Sequence, residues 1–337
     1  MEVIIDVHTE KNWEYKIIQY EEVDSTNDEA KRLIRAATPA SADSKPPITD
    51  DNSVAVTPAL YNLYGSVVVA RRQTAGRGRR GREFASPGLD SVYASFILPP
   101  PQNLEGQLIT AFAAVAVCEA IEQTTSYKPG IKWVNDIFVD GKKVCGILAE
   151  TIPHAVVLGI GVNINLGKDD IPDELRDIAG SLYMDDATRE RFFSVMAALV
   201  FRYMETAGCG ATGTGGWAQG CEATGASGWA QGCGATGAGL WAEGHGATGA
   251  GLWAEGCGAT GADGWVQGCG ATGADLMGAY RTRSILLGNR INIIKDEVKR
   301  SAVAAEIADD GALVVRYDDG SIDTLRSSEF SVRLADQ

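Results

Sequence analysis

A twelve-residue tandem repeat over 207–276 constrains this chain more than any other feature. Trp217, Trp229, Trp241, Trp253 and Trp265 recur at that step, as do Cys209, Cys221, Cys233, Cys257 and Cys269, with His245 where a sixth cysteine would fall. The Ala-Thr-Gly triplet keeps the same interval. Glycine three or four times per unit makes ordered backbone entropically expensive, and no helical or strand period is sustained across it. Composition therefore favours a flexible, low-complexity insertion. Two alternatives stay open. A soft-metal site on the Cys/His column lacks the close ligand pairs of metal fingers, and a short-period solenoid would stack its tryptophans. The repeat divides the chain into a body over 1–206 and a tail over 277–337.

The body reads as alternating helices and strands. Residues 15–23 form an expected strand; Thr26-x-x-Glu29 is a capping box, with Ala30, Leu33, Ile34 and Ala37 following at helical spacing. Residues 38–64 form a connector with Pro, Ser and Asp, longer than most loops of compact domains. Strands are expected at 66–70 and 91–98, while 106–123 is apolar nearly all round, as a buried helix would be. Three strand-like runs follow at 131–139, 143–150 and 155–163, with Asp140-Gly141 as a hairpin turn. Residues 189–205 are helical. In the tail, short strands at 285–294, 301–308, 312–317 and 321–325 are punctuated by Asp309-Asp310-Gly311 and Asp318-Asp319-Gly320. Such spacing predicts a small β-barrel or sandwich.

No apolar run reaches the ~20 residues of a membrane span. Residues 1–12 lack the basic and long apolar regions of a secretory signal, so a soluble, cytoplasmic protein is expected. A formal net charge of −14 argues against a general binder of nucleic acid or anionic membrane. Residues 71–82 break that balance with six arginines. Gly76, Gly78 and Gly81 satisfy G-x-G-x-x-G after a strand, but a dinucleotide fold needs a helix at the third glycine, and Pro87-Gly88 makes a turn instead. A Walker A loop fails because no Gly-Lys-Ser/Thr ends the run. What remains is a glycine-flexible, arginine-dense loop suited to closing over a phosphate. The alternative, an RNA-binding segment, calls for stacking aromatics and a basic surface elsewhere, and neither is evident.

With these elements the chain resembles the biotin–protein ligases. Residues 76–82 (GRGRRGR), continued by Phe84-x-Ser86-Pro87, are similar to the family signature GRGRxGR-x-W-x-SP. Asp24-Ser25-Thr26-Asn27 matches DSTN, and Lys132-Trp133-Val134-Asn135-Asp136 matches KWPND. Residues 143–150 match K-x-x-GILxE, and residues 159–165 match GIGxNxN. The resemblance extends, in family order, over about 15–205 and 278–334. Departures are Phe84 for Trp, Val134 for Pro, Leu89 where a second Gly is common, the long connector and the repeat. None removes a charged group the chemistry needs.

The resemblance implies an α+β catalytic domain over 1–206, related to class II aminoacyl-tRNA synthetases, and an SH3-like β-barrel over 277–337. It implies ATP-dependent ligation of biotin, through biotinyl-5′-AMP, to a carrier lysine. The partner would be a biotin carboxyl carrier protein or domain of acetyl-CoA carboxylase or another biotin-dependent carboxylase. Ser25, Thr26 and Asn27 would sit at the biotin end, with Gln73 contacting biotin. Gly76, Arg77, Gly78 and Arg79 would close over the adenylate, and Lys132 would bind the shared carboxylate–phosphate oxygens. Gly146 and Gly161 would let backbone approach the ligand. Arg79 and Lys132 are thus the catalytic candidates. The plainer alternatives are helix caps for Ser25 and Thr26 and a surface strand lysine for Lys132. Biotin and ATP would be substrates and Mg²⁺ would accompany ATP, with no readable metal ligand and Asp136 read as structural. The DSTN element begins at Asp24, leaving no room before it for the DNA-binding domain of some relatives. A monofunctional enzyme without specific DNA binding is therefore expected, and a homodimer is allowed. A lipoate- or octanoate-handling relative and a non-catalytic binding module are the competing readings.

Overall fold

The computed structural model describes residues 4–10, 13–38, 57–81, 84, 89–101, 106–167, 169–206, 273–295, 298–326 and 330–335, with short strands of the repeat between 217 and 267. Arg82, Ser86 and Pro87 of the arginine-loop signature lie outside the described residues, as do most of the 38–64 connector and the repeat's Cys209, Cys221, Cys233, His245, Cys257 and Cys269.

The body is built on a mixed sheet of eight strands. In chain order these are β1 (Ile4–Glu10), β2 (Trp13–Val23), β3 (Ser66–Gln73), β4 (Val92–Leu98), β5 (Gly130–Lys132), β6 (Asp136–Val139), β7 (Lys142–Ile152) and β8 (Ala155–Val162). Across the sheet they run β1-β2-β3-β4-β8-β7-β6-β5. Only β2 and β3 pair in parallel, because the chain returns between them through a crossover containing α1 (Thr26–Ala37) and α2 (Pro58–Tyr61). β4 is buried at every position, so both faces of the sheet are covered there. α1 packs over β3, β4 and β8, and α3 (Gly106–Thr124) packs against β7 and α4 (Asp186–Thr206). Ile109 through Val117 of α3 include no exposed side chain, as its all-round apolar sequence demands.

Two expectations change at the residues that matter most. The run at 131–139 is not one strand: Trp133–Asn135 turns the chain so that β5 and β6 pair with Lys132 opposite Asp136. The apolar alternation misleads because the Trp133 indole is buried for another reason, donating to the Gly311 carbonyl at 2.9 Å. The capping box does not form either. Ser25 is the N-cap of α1 with no side-chain cap, and Glu29 accepts a hydrogen bond from Tyr20 at 2.9 Å instead. Thr26 points its hydroxyl elsewhere.

The tail begins with a helix that sequence reading missed, α5 (Gly273–Thr282). Five antiparallel strands follow rather than four, ordered Ile322–Leu325, Leu313–Arg316, Val298–Ile307, Arg290–Lys295 and Ser331–Leu334. Gly311 and Gly320 hold positive φ in two of the turns. Body and tail form one compact unit, Met1–Cys209 with Leu276–Gln337. Ile131 of β5 is tied to the tail on both sides, donating to Arg283 O at 2.7 Å and accepting from Ile285 N at 2.9 Å. Tyr280 donates to the Val134 carbonyl at 3.0 Å.

Gly210–Asp275 is the second unit. Its strands form two parallel ladders, one aligning Trp217, Trp229, Trp241 and Trp253, the other Thr224, Thr236, Thr248 and Thr260. This is the stacked arrangement of the solenoid alternative. Near-identical units offer each strand a similar neighbour, and such in-register pairing offsets entropy lost at glycine. Among the described residues, no helix is long and apolar enough to cross a membrane.

Candidate active site

A cavity of about 220 Å³ opens where strand ends, the arginine loop and the tail converge. It is lined by Ser25, Thr26 and Asn27 at the start of α1, Gln73 at the end of β3, and Arg77, Gly78 and Arg79 of the loop. Lys132 of β5, Gly146 of β7 and Gly161 of β8 complete the sequence-predicted set. Gly76 alone among those candidates does not line it. That residue is buried, and its carbonyl accepts the Phe84 N–H at 2.8 Å, which closes the loop on itself.

One end of the cavity is polar and neutral. Thr26 donates its backbone N–H to Gln73 Oε1 at 2.8 Å, and buried Ser95 of β4 lies 2.8 Å from the Thr26 hydroxyl. Asn27 Nδ2 donates to Glu150 at 2.8 Å. Behind them Lys31, only 7% exposed, pairs with Asp28 and Glu150 at 2.9 Å each. The Arg77 guanidinium reaches the same two carboxylates at 3.1 and 3.4 Å. Burial raises the Asp28 carboxyl, but its hydrogen bond with Lys31 and the charges of Lys31 and Arg77 outweigh it and hold it below the usual carboxylate range.

The other end is cationic. Arg77, Arg79, Lys132, Lys143 and Arg333 line the cavity against a single lining carboxylate, Asp136, which Lys143 engages at 2.6 Å. Arg79 begins a 3₁₀ turn (Arg79–Gly81) and donates to Asn135 Oδ1 at 3.1 Å. Asn135 is held in turn by donating to the Ile147 carbonyl at 2.8 Å. Burial pushes the Lys132 ammonium below the ordinary lysine range; Asp136 opposes this, and Lys143 and Arg333 add to it. A half-buried cation facing two others is a site waiting for an anion.

Phe84 also lines the cavity, against β7 and β8. A Cβ on Gly146 or Gly161 would stand 2.9 or 2.7 Å from its ring, so both glycines are needed for the ring to lie flat on β7 and β8. Lys143 Nζ sits 5.8 Å from the same ring's centre. Sequence reasoning missed Lys143, Asn135 and Phe84 as lining residues although each stands inside a quoted motif. Ser95 and Arg333 carry no local signal, because only the pairing of distant strands brings them here.

Residues 61–166 match the biotin/lipoate A/B protein ligase family, and residues 286–333 match the biotin protein ligase C-terminal domain. The bifunctional ligase/repressor BirA of Bacillus subtilis is 45% identical over 124 residues, 35% of this chain and 38% of that protein. The biotin–[acetyl-CoA-carboxylase] ligase of Mycobacterium tuberculosis is 36% identical over 119 residues, 33% of this chain and 44% of that protein. The matched stretch thus spans less than half the length of either relative. In fold, the chain is similar to the biotin protein ligase of Aquifex aeolicus in complex with biotin and ATP. That comparison has a TM-score of 0.60 at 20% identity and covers 95% of this chain and 99% of the other. By sequence, then, residues 61–166 belong with the biotin/lipoate ligases and residues 286–333 with the C-terminal domain of biotin protein ligases.

Proposed function

We propose that this chain ligates biotin to a carrier protein at the expense of ATP. The observation that carries the reading is the joining of two unlike ends in one cavity: a neutral hydrogen-bonding end at Thr26, Asn27 and Gln73, and an end with five cations against one carboxylate. A neutral polar head with a carboxylate tail, meeting a nucleoside triphosphate, fits that division. In the first step a biotin carboxylate oxygen attacks the α-phosphorus of ATP, forming biotinyl-5′-AMP and releasing pyrophosphate. In the second, the amine of a carrier lysine attacks the acyl carbon and AMP leaves. Attack of one anion on another is limited by charge repulsion and alignment, so positioned cations do most of the catalysis. Lys132 and Lys143 bind the carboxylate–phosphate oxygens, and Arg77 and Arg79 close over the adenylate. Ser25, Thr26, Asn27 and Gln73 hold the biotin head.

Mg²⁺ is expected to travel with ATP. Among the described residues no three His, Cys, Asp or Glu side chains gather to hold a metal, and Asp136 is engaged by Lys143. These residues do not make a protein-held Mg²⁺ site, and no step is assigned to the ion. In this reading the body is class II synthetase-like, the tail is an SH3-like barrel, and the partner is the biotin carboxyl carrier of a biotin-dependent carboxylase. The deciding experiment is exchange of labelled pyrophosphate into ATP with biotin, lipoate or neither. Exchange with biotin alone supports the reading; exchange with lipoate alone, or with neither, overturns it.

A further inference from the structure

Glu150 and Ser95 do not line the cavity, yet both are wired to side chains that do. The Glu150 carboxylate lies 2.9 Å from Lys31 Nζ and 3.4 Å from an Arg77 nitrogen, and accepts from Asn27 Nδ2 at 2.8 Å. A carboxylate only accepts. The NH₂ of Asn27 must therefore face Glu150, which turns Asn27 Oδ1 the other way, to Ser95 Oγ at 2.6 Å.

Ser95 is fully buried and has one hydroxyl hydrogen. Asn27 Oδ1 can only accept, so that hydrogen is committed to it. The Thr26 hydrogen then has two acceptors, Ser95 Oγ at 2.8 Å and Gln73 Oε1 at 3.1 Å, and it serves the nearer, fully buried Ser95, whose contact has no other hydrogen to bridge it. With its hydroxyl hydrogen so used, Thr26 holds Gln73 through its backbone N–H, 2.8 Å from Gln73 Oε1. The Gln73 amide is thereby set with its oxygen toward α1. The Thr26 backbone N–H sets Gln73 by itself, whereas the Thr26 hydroxyl could point either way and takes its direction from the Glu150 carboxylate through Asn27 and Ser95.

We propose that Glu150, acting through Asn27 and Ser95, is a positioning residue that sets the Thr26 hydroxyl oxygen as an acceptor beside the Gln73 amide. A ligand arriving there meets a hydroxyl oxygen that accepts beside an amide that donates. That pair is complementary to a group carrying N–H next to C=O, as a cyclic urea does. The proposal rests on the biotin-ligase reading, since biotin's head is such a urea. Lys31 has the supporting task of holding the Glu150 carboxylate in place.

The test compares the full-length parent with Glu150→Gln, Ser95→Ala and Ser95→Cys. It uses calorimetric titration with biotin, KM values for biotin and ATP in pyrophosphate exchange, and a urea midpoint for each protein. Glu150→Gln lets Asn27 turn round and should weaken biotin binding about tenfold or more, and Ser95→Ala, which leaves the Arg77 pairing intact, should raise the KM for biotin with that for ATP within about twofold. Ser95→Cys, a weak donor of similar size, should fall between the parent and Ser95→Ala. Unchanged biotin affinity in Glu150→Gln overturns the relay. So does a parallel loss for both substrates with a collapsed urea midpoint, which is what a merely structural role produces. If the parent itself binds no biotin, the ligase reading fails and takes the relay with it; if the parent binds and the variants break this pattern, the relay alone fails.

Discussion

Replacing Gly159 by alanine would press directly on the polar end of the cavity. A Cβ at Gly159 on β8 would stand 2.2 Å from Asn27 Oδ1 and 2.9 Å from its Cγ. Ordinary contact is nearer ~3.5 Å, so Asn27 must retreat by more than about 1 Å. It is pinned on both sides, at 2.8 Å by Glu150 and at 2.6 Å by Ser95. A retreat of that size stretches both bonds past the ~3.2 Å at which they hold well. The charge-assisted bond is worth about 1.5–3 kcal/mol and the neutral one about 1 kcal/mol. The added methyl returns about 0.8 kcal/mol by burial. The net loss is about 2–3 kcal/mol, which a domain with the usual ~5–15 kcal/mol survives. If the same strain falls on biotin binding, affinity drops by about 30–150-fold. Gly161→Ala is the comparison, because its Cβ would meet the Phe84 ring at 2.7 Å, and a ring on a loop can swing aside. It should destabilise by less than about 1 kcal/mol. Urea unfolding and calorimetric titration with biotin read both quantities. A Gly159→Ala protein within about 0.5 kcal/mol of the parent, with unchanged biotin affinity, would refute the reasoning, as would Gly161→Ala proving the worse of the two.

Burial holds Lys132 below the ordinary lysine value of 10.5, and the reaction needs its charged form. Adenylation kcat/KM should therefore fall as pH rises, with its alkaline limb below 10.5. Lys132→Arg, charged throughout, should lose that limb; a parent profile flat to that pH contradicts the assignment. Lys132→Ala should lose most adenylate synthesis, since one positioned cationic donor is worth about 2.7–4 kcal/mol in the transition state. Arg79→Gly should still release pyrophosphate but leak biotinyl-adenylate, seen as self-biotinylation by intact mass, because the lid retains the reactive anhydride. Arg79→Gly that neither releases pyrophosphate nor labels itself would end the lid assignment. Replacing 210–272, which stops short of α5, with a short Gly/Ser linker should leave adenylation nearly intact, as the repeat is a separate unit and loop closure changes by only ~0.6 kcal/mol per doubling. Loss of cooperative unfolding in that variant would show that the body depends on the repeat.

What was legible in the sequence and what was not divide along a physical line. Segments whose burial follows their local pattern were readable: α1 by its helical period, and α3, β4 and β8 by near-continuous apolar runs. The arginine-dense loop stood out in an acidic chain, and the structure brings Arg77 and Arg79 to the cavity while Arg71 and Arg72 pair with Glu21 and Glu22. The errors lie where a residue's partner is remote. Trp133 looked like one more inward strand position, but its indole serves Gly311, 178 residues on. Arg333 entered the cavity on a last tail strand that no local pattern announced. The repeat is the opposite case, since composition measures the entropy a segment loses and does not register the strand pairing that similar neighbours offer.

Thr26 carries the lesson furthest. Threonine at a helix start with Glu three residues on is the pattern of a capping box, and the free energies of a cap and of a buried relay are similar, about 1 kcal/mol each. Local sequence therefore cannot decide between them. The decision is made by β4, which sets the buried Ser95 hydroxyl 2.8 Å from that of Thr26, and by β7, whose Glu150 fixes which way Asn27 must face. The first N–H of α1 is taken by Gln73 without a cap, whereas Ser95 at 0% exposure has no water to turn to. The more deeply buried partner claims the hydroxyl. The helix start thus becomes part of the cavity wall because the sheet behind it leaves that hydroxyl no better use.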